Sequence, residues 1–382
     1  MAKNNKILKC PPLRFPQFND EWRQTTLGEI AEVNPTTTKS LPLRFQYIDL
    51  ESVEKGRIVK NNVLTREDAP SRAQRILNNG DVIFQMVRPY QQNNLYFNLK
   101  GNIPVVASTG YAQLRGFQSS LFLYYAVHTP NFLGEVLNRC TGSNYPAINS
   151  ADLSTISLSL PSLAEQEKIA SFLSLIDERI QSCSETIKER KREKVALLNQ
   201  LFSQKLRFPQ FSDEWQQTTL GEICTIKTGK LDANAMIEGG RYPFFTCAKQ
   251  TYQTDTYSFS GEAILVAGNG EVGLTKYYNG KFNAYQRTYV LQSLRRDIIL
   301  RLIRNYIDYS LPKRIVSLLN GSAMPYITLS TLRDMPLSLP SLVEQKKIAD
   351  FLSLIDERIE AEEELLEQYE RQKRYLLKQM FI

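Results

Sequence analysis

The stretch LPSLAEQEKIASFLSLIDERI at residues 160–180 returns as LPSLVEQKKIADFLSLIDERI at residues 339–359. Each copy places a serine and a glutamate three residues apart, Ser162 with Glu165 and Ser341 with Glu344, which predicts a capping box at a helix start. Apolar residues then recur at alternating spacings of four and three, a pattern typical of a coiled-coil seam. The repeat therefore predicts two long helices, each roughly 60 Å long if about 40 residues rise 1.5 Å apiece.

The predicted seam extends past the repeated letters in both helices. In the first helix the seam comprises Ile169, Leu173, Ile176, Ile180, Cys183, Ile187, Leu197 or Leu198, and Leu201. In the second helix it comprises Ile348, Leu352, Ile355, Ile359, Leu366, Tyr369, Leu376 and Met380, with Glu362 as a polar exception. The outer faces differ in charge, since KERKREK at 188–194 is basic and EAEEELLEQ at 360–368 is acidic. These faces either pair with each other or are simply solvated.

A second pair of repeats opens each half of the chain. LRFPQFNDEWRQTTLGEI at residues 13–30 matches LRFPQFSDEWQQTTLGEI at residues 206–223. The order of the blocks is therefore A, B, A, B, and such internal repetition indicates two copies of one architecture. The intervening segments, 31–159 and 224–338, share little beyond GSNYPAI at 142–148 and GSAMPYI at 321–327.

Both intervening segments predict strands followed by helix. In the first, 80–90 and 103–108 are rich in β-branched and apolar residues, and 119–140 has a helical pattern. In the second, 261–268 and 274–292 predict strands and 297–319 predicts a helix. The two halves should share a scaffold and differ in the surfaces that it presents.

Composition limits the class of protein. A chain of 382 residues with 42% hydrophobic residues suits two domains, and its 47 Lys and Arg against 40 Asp and Glu permit a polyanionic partner without requiring one. The five cysteines lack CxxC spacing, and the single histidine, His128, excludes a multi-histidine metal site, so we interpret these residues as structural. The sequence has neither a basic-then-apolar leader nor a membrane-spanning apolar run, so we expect a cytoplasmic protein.

Motifs for catalysis are weak. GNGEVG at 268–273 matches GxGxxG, yet the sequence after it is strand-like, so we expect a tight loop rather than a dinucleotide site. The sequence contains neither a Walker GxxxxGK[ST] motif nor an Asn-Pro-Pro-Tyr tetrapeptide of the kind that adenine methyltransferases use. We therefore predict no catalytic residue and no metal ligand in this chain.

The repeated helix resembles that of the specificity subunits of type I restriction-modification systems, whose pattern is Pro-x-Leu-x-Glu-Gln-x-x-Ile and then Leu-x-x-x-Asp-x-x-Ile. The pattern is met at Pro161, Leu163, Glu165, Gln166, Ile169, Leu173, Asp177 and Ile180, and again at Pro340, Leu342, Glu344, Gln345, Ile348, Leu352, Asp356 and Ile359. The ABAB order, GDVIFQMVRP at 80–89 and KTGK at 227–230 also match, so the resemblance covers nearly the whole chain.

The resemblance implies an α+β protein in which two similar α/β-type target-recognition domains are separated by two long conserved helices. The helices would form an antiparallel coiled coil, and the chain would be pseudo-twofold symmetric. We place domain 1 at 1–159, the first spacer helix at 160–205, domain 2 at 206–338 and the second spacer helix at 339–382.

The resemblance also implies a non-catalytic DNA-specificity subunit. Each domain would read one half of a bipartite site in double-stranded DNA, and the helices would set the spacing and dock two methyltransferase subunits. Adenine N6 methylation, and with motor-nuclease subunits the cleavage of unmodified DNA, would use S-adenosylmethionine, ATP and Mg bound to those partners. Two alternatives are an enzyme that itself methylates or cuts DNA, and a free-standing regulator, which would ordinarily need one recognition domain rather than two unlike ones.

Candidate DNA contacts follow from side-chain chemistry, because Arg pairs with guanine and Asn or Gln with adenine, while lysines favour phosphates. In domain 1 the candidates are Arg88, Tyr90, Gln91, Gln92, Asn93 and Asn94 for bases, with Thr36, Thr37 and Lys39 for phosphates. In domain 2 they are Lys227, Thr228, Lys230, Lys249, Gln250, Asn269, Lys276, Tyr277 and Arg287. A solvated loop is the alternative for each of them.

Candidate partner contacts lie on the repeated helix face, because two identical surfaces suit two identical partner subunits. They are Glu165, Gln166, Asp177 and Arg179, and their copies Glu344, Gln345, Asp356 and Arg358. Helix capping is the alternative role for Glu165 and Glu344.

Overall fold

A computed structural model of the chain describes residues 10–36, 40–98, 101–318 and 326–382. The chain divides into two compact units, of which unit 1 comprises Met1–Cys183 with Leu365–Ile382, and unit 2 comprises Ser184–Glu364. Among the described residues, no helix is long and apolar enough to cross a bilayer.

The helices have the following bounds: α1 Leu27–Ile30, α2 Ser120–Ala126, α3 Pro130–Asn138, α4 Ser150–Ser154, α5 Leu163–Phe202, α6 Leu220–Ile223, α7 Leu300–Leu318, α8 Leu329–Arg333 and α9 Leu342–Gln379. The predicted helical segment at 119–140 is two helices, because Thr129 caps a new helix with Pro130 at its first position. The predicted long helices are α5 and α9.

The strands of unit 1 are β1 Arg23–Thr26, β2 Ala31–Val33, β3 Arg44–Ile48, β4 Val53–Glu54, β5 Arg57–Ile58, β6 Asn62–Thr65, β7 Ala73–Ile76, β8 Asp81–Gln85, β9 Leu95–Tyr96, β10 Val105–Ser108, β11 Tyr111–Gly116 and β12 Ser157–Leu160. They form sheets of order β2-β11-β8-β9 and β6-β3-β10-β7, a ribbon of β1 with β12, and a β4-β5 hairpin.

The strands of unit 2 are β13 Gln216–Thr219, β14 Cys224–Thr228, β15 Tyr242–Phe245, β16 Thr251–Thr254, β17 Phe259–Ala267, β18 Thr275–Ala284, β19 Thr288–Ser293 and β20 Pro336–Leu339. They form one sheet of order β14-β19-β17-β18-β15-β16 and a ribbon of β13 with β20. Helix α7 covers one face of that sheet, where Ile264, Val266 and Leu291 pack against Ile303 and Ile307.

The two units share a core sheet. The order β2-β11-β8-β9 in unit 1 corresponds to β14-β19-β17-β18 in unit 2, and every neighbouring pair in both is antiparallel. Each unit adds one parallel pair, β3 with β10 or β15 with β18. The prediction of one scaffold used twice is therefore confirmed.

Helices α5 and α9 contribute a segment to each unit. In unit 1 the seam residues Ile169, Leu173 and Ile176 share a buried cluster with Leu376 and Met380. In unit 2 the cluster contains Leu198, Leu201, Ile348 and Leu352. There, Lys191 pairs with Glu363 and Lys194 with Asp356. A later residue of α5 therefore pairs with an earlier residue of α9, and the two helix segments are antiparallel.

Candidate nucleic-acid interface

In unit 1, three loops meet at the end of the core sheet where β2 and β8 stop. The amide of Asn34, just after β2, donates from Nδ2 to Ser150 Oγ at 2.7 Å, and Ser150 Oγ lies 3.8 Å from Met86 Sδ. The N–H of Ile148 donates to the carbonyl of Met86, just after β8. The loops that begin at Asn34 and Met86 and the loop at 142–148 are therefore neighbours. Thr36 is exposed here, whereas Thr37 and Lys39 lie outside the described residues.

The loop after β8 is organised by a buried glutamine, Gln85, which the sequence analysis did not single out. Its Nε2 donates to the carbonyl of Val87 and to Gln91 Oε1, both at 2.8 Å. Its Oε1 accepts the Asn93 N–H, and its own N–H donates to Asn94 Oδ1. One side chain therefore fixes the course of the loop, and a glutamine inside the apolar run DVIFQMV was the available signal.

Asn94 is a correction to the predicted base contacts. Its side chain is 1% exposed, and its amide joins the backbone of Gln85 to His128 Nε2, so it supports the loop from within. His128 Nδ1 donates to the Tyr124 carbonyl at 2.6 Å, which leaves Nε2 to accept from Asn94. Desolvation lowers the pKa of His128 to about 4, in agreement with the structural role predicted for it.

The remaining candidates of this loop are accessible to different degrees. Tyr90 and Gln91 are exposed, and Gln92 and Asn93 are half-buried. Arg88 lays its guanidinium over the ring of Tyr145, with 4.2 Å between Cζ and the ring centroid. Tyr145 belongs to the repeated GSNYPAI segment and was not predicted as a contact.

In unit 2, the equivalent end of the core sheet also gathers several loops. The Gly229 N–H donates to Thr288 O, the Gly268 N–H to Arg287 O, and Cys247 Sγ to Arg287 O. Gly229, in the KTGK segment, lies so close to the next loop that an added Cβ would stand 1.9 Å from Ala284 O. The glycine is therefore required by the close approach of two backbones.

Most unit 2 candidates lie on these loops. Lys227, Thr228, Lys230 and Arg287 are exposed. Thr228 and Arg287 line a cavity of about 290 Å³ together with Gly268, Tyr289 and Tyr326. The predicted loop at 268–273 is a hairpin connection between β17 and β18 rather than a strand-to-helix turn, so the GxGxxG letters have no dinucleotide-binding context.

A second group of candidates flanks that hairpin. Lys249 and Gln250 are exposed, and the Lys249 N–H donates to Glu271 Oε1. Asn269 is half-buried, and Lys276 Nζ donates to the Gln250 carbonyl at 3.1 Å. Burial lowers the pKa of Lys276.

Tyr277 is a second correction. Neighbouring residues of a strand face opposite sides of its sheet, so Tyr277 and Lys276 point apart. Tyr277 packs on the α7 side, where its hydroxyl bonds to Glu262 and Arg301 lies over its ring at 5.2 Å. Its side chain is used inside unit 2.

The repeated blocks A and B contact each other, and we call this arrangement the joint: 13–30 against 156–172 in unit 1, and 206–223 against 335–351 in unit 2. Strand β1 pairs with β12 as β13 pairs with β20. Phe15 and Phe172 meet edge to face at 5.7 Å, as Phe208 and Phe351 do at 5.9 Å. The two joints are equivalent contact by contact.

Each joint contains one buried ion pair. Arg14 holds Glu165 with two hydrogen bonds of 2.7 Å, and Arg207 holds Glu344 with two of 2.8 Å. Both glutamates are 1% exposed. The capping prediction is half correct, because the Glu165 N–H donates to Ser162 Oγ at 3.4 Å while the Glu165 carboxylate goes to Arg14.

Four predicted partner contacts are therefore corrected to roles within the chain. Besides the two glutamates, Gln166 donates to Gln118 Oε1 and to the Pro161 carbonyl. Gln345 donates to the carbonyls of Asp297 and Pro340 and accepts the Ile299 N–H. These buried side chains are not accessible to another protein.

Asp177 and Asp356 also have partners within the chain. Asp177 pairs with Lys373 at 2.6 Å and accepts the Tyr125 hydroxyl, while Asp356 pairs with Lys194 at 2.6 Å. Arg179 and Arg358 are exposed. Beside them, four residues earlier on the same helix face, stand two leucines at equivalent positions, Leu175 at 58% and Leu354 at 60% exposure.

The family model for the type I restriction modification DNA specificity domain matches residues 19–191 and 212–371. The chain therefore belongs to that family, and the resemblance drawn from the repeated helix is confirmed. Its relatives are named as specificity subunits.

The type I restriction enzyme EcoDI specificity subunit of Escherichia coli is 41% identical over 157 residues, which are 41% of this chain and 34% of that protein. The chain thus spans about a third of the length of that relative. The MjaVIII specificity subunit of Methanocaldococcus jannaschii is 23% identical over 98% of this chain and 95% of that protein. In fold, the S subunit of a type I restriction-modification system from M. genitalium matches 98% of this chain and 99% of that one, with a TM-score of 0.66 at 18% identity.

Proposed function

We propose that the chain is a non-catalytic DNA-specificity subunit in which each unit reads one half of a bipartite site in double-stranded DNA. The observation that carries the proposal is the contrast within each unit. The core sheet and the joint are the same in both, whereas the loops at one end of that sheet differ in length and chemistry. A scaffold used twice with two unlike polar loop sets suits the reading of two unlike sequences.

The charges at these loop ends support the same proposal. Lys227, Lys230, Lys249 and Arg287 are exposed around the sheet end of unit 2, and cations of this kind neutralise DNA phosphates. In unit 1 the sheet end presents Arg88, Tyr90 and Gln91. We assign base contacts to Arg88, Gln91, Gln92 and Asn93 in unit 1 and to Gln250, Asn269 and Arg287 in unit 2.

We further propose that α5 and α9 set the spacing of the half-sites and dock two methyltransferase subunits. The repeated exposed leucines, Leu175 and Leu354, each with an arginine four residues later, offer two like surfaces for two like partners. S-adenosylmethionine would then act on the partners, as would ATP and Mg in a complex that also contains motor-nuclease subunits.

The reading function is tested by exchanging one set of loops. Residues 224–338 are replaced by the corresponding segment of a relative, which leaves both helices in place, and N6-methyladenine is mapped in cells that carry the chain and a methyltransferase partner. One half of the methylated motif should change and the other should stay. A change in both halves would refute separate reading.

The docking function is tested by placing a negative charge at the two exposed leucines, Leu175 and Leu354. Leu175→Glu with Leu354→Glu should abolish co-elution with the methyltransferase subunit in gel filtration while the chain stays folded. Val195→Glu is the matched control, since Val195 is a 58% exposed apolar residue of α5 whose counterpart in α9, Arg374, is not apolar. Retained co-elution of the double variant would remove this face from the interface.

Two rival functions give different results with the isolated chain. An enzyme would transfer methyl groups from S-adenosylmethionine to DNA, or cut DNA, without a partner. A free-standing regulator would give a tight footprint alone.

A further inference from the structure

Arg88 has an unusual backbone conformation for its residue type. Its φ of 54° and ψ of 54° lie in the left-handed region, which costs free energy for a residue with a side chain and persists only where the surroundings impose it. Gln92, at the other end of the same short turn, has a φ of 51°. Neither position carries a glycine or an asparagine, the residues that adopt this conformation most readily.

The surroundings of Arg88 impose this conformation from three sides. The Arg88 N–H donates to Pro146 O at 2.7 Å, and the preceding residue, Val87, forms an isolated β-bridge with Ala147. Buried Gln85 holds the carbonyl of Val87. The turn is therefore fixed before any ligand arrives.

The guanidinium of Arg88 is oriented but not neutralised. It lies over the ring of Tyr145 with 4.2 Å between Cζ and the ring centroid, and Tyr145 is itself 65% exposed. Among the described residues no carboxylate pairs with Arg88, and its buried Nε has no hydrogen-bond acceptor. By contrast, Arg115, on the neighbouring strand β11, is paired with Asp81 at 2.9 Å.

A stacked, planar guanidinium suits one kind of ligand better than others. A phosphate is bound well by a flexible lysine, and an arginine that only contacts phosphate has no need of a fixed plane. The major-groove edge of guanine presents O6 and N7 side by side, and a guanidinium can bind both only when it lies in the plane of the base. The ring of Tyr145, with the Arg88 guanidinium lying over it, restricts the orientations that this group can take.

We infer that Arg88 binds the O6 and N7 atoms of one guanine in the half-site read by unit 1, and that Tyr145 is the positioning residue that orients it. The inference rests on the proposed DNA-reading function and names the base that this loop takes. Unit 2 has no arginine in the equivalent loop after β17, where Gly268, Asn269 and Gly270 stand, so its half-site is read by other groups.

The test uses the full chain in complex with its methyltransferase subunit and duplexes that carry the mapped motif. Each guanine of the unit 1 half-site is replaced in turn by 7-deazaguanine, which lacks only the N7 acceptor. One replacement should weaken binding to the wild-type complex about tenfold, within the roughly 5- to 150-fold range expected for a bidentate arginine contact. The same replacement should have no effect on Arg88→Met, because methionine has no hydrogen-bond donor for N7.

Two variants of Tyr145 distinguish a role in orienting Arg88 from a general role in folding. Tyr145→Phe keeps the aromatic face and should retain the sensitivity to 7-deazaguanine, whereas Tyr145→Ala should reduce it at unchanged salt dependence of binding. Arg295→Met is the control, since Arg295 pairs with Asp297 in unit 2, outside the unit that carries this loop.

The outcomes distinguish the inference from the function beneath it. If the wild-type complex binds its motif specifically but tolerates 7-deazaguanine at every position, Arg88 does not read guanine and the inference is overturned. Equal sensitivity in Arg88→Met would overturn it as well. A wild-type complex without sequence preference would instead refute the proposed function.

Discussion

Units 1 and 2 are alike in their joints and core sheets and differ in the elements and loops added to them. The joints match in strand pairing, in an aromatic contact and in a buried ion pair, and the core sheets have the same strand order. Unit 2 uses one continuous strand, β18, where unit 1 has two separate strands, β9 and β10. Unit 1 also adds β7 and the β4-β5 hairpin. Sequence divergence in this chain is therefore concentrated away from the joints.

The comparison predicts that the joints are both essential and nearly equivalent. Arg14→Ala leaves the carboxylate of Glu165 buried without its counter-charge, and breaking a buried pair in this way costs about 3 kcal/mol of unfolding free energy. Arg207→Ala should act in the same direction in unit 2. Its effect should be slightly smaller, because the side chain of Arg207 is 20% exposed against 12% for Arg14.

The two tryptophans make this measurable unit by unit. Trp22 is buried in unit 1 and Trp215 in unit 2, and the chain has no others. Urea unfolding followed by fluorescence in a Trp215→Phe background reports unit 1, and a Trp22→Phe background reports unit 2. Arg139→Ala, which breaks an exposed pair, should cost well under about 1 kcal/mol as the control. A joint variant no worse than this control would contradict the equivalence.

A second prediction separates the units by pH. The single histidine lies in unit 1, and its pKa of about 4 in the folded chain is below the value of about 6.5 in an unfolded one. The unfolded state then binds more protons between these values, so the stability of unit 1 falls as the pH falls. At about 1.4 kcal/mol per pH unit, acidification from pH 7 to pH 5 should cost unit 1 about 2 kcal/mol.

The same tryptophan reporters test this prediction. Unit 2 has no histidine and should lose no stability over that interval, and His128→Gln should remove the loss from unit 1 whatever its absolute stability. An equal loss in both units would assign the effect to carboxylates instead.

How much the sequence predicts depends on the range of the interaction. The two long helices, the helical segments at 119–140 and 297–319, and the strand runs at 80–90, 103–108, 261–268 and 274–292 follow from local periodicity, and strands or helices are found in each. The other strands and the short helices were not predicted. The ion pair of Arg14 with Glu165 joins residues 151 positions apart, so the sequence alone predicted a partner contact or a helix cap for Glu165 and not this pair. Asn94 and Tyr277 were misplaced for the same reason, because their side-chain partners, His128 and Arg301, come from other elements. Tyr145 lies in GSNYPAI, one of the two similar segments found in the sequence, but the sequence does not show that this segment contacts Arg88.

The smallest expected effect distinguishes two ion pairs that the repeat makes equivalent, Lys373 with Asp177 and Lys194 with Asp356. Lys194 also acts on Asp308, a half-buried carboxyl of α7 whose pKa is raised by desolvation, while Lys194 and Arg304 oppose that rise. Removing Lys194 therefore leaves Asp356 and Asp308 as two carboxylates without the lysine between them, whereas Asp177 without Lys373 still accepts the Tyr125 hydroxyl.

We expect Lys194→Met to lower the free energy of unfolding by about 1 kcal/mol at pH 7 and Lys373→Met by a few tenths less, measured by urea unfolding at low salt. Asp308→Asn should abolish the difference. The substitution should itself stabilise the folded chain near neutral pH and have no effect at low pH, because a carboxyl whose pKa is raised on folding lowers the stability of the folded chain as the pH rises. Equal costs in the presence of Asp308 would mean that the two pairs differ in sequence neighbours but not in electrostatic surroundings.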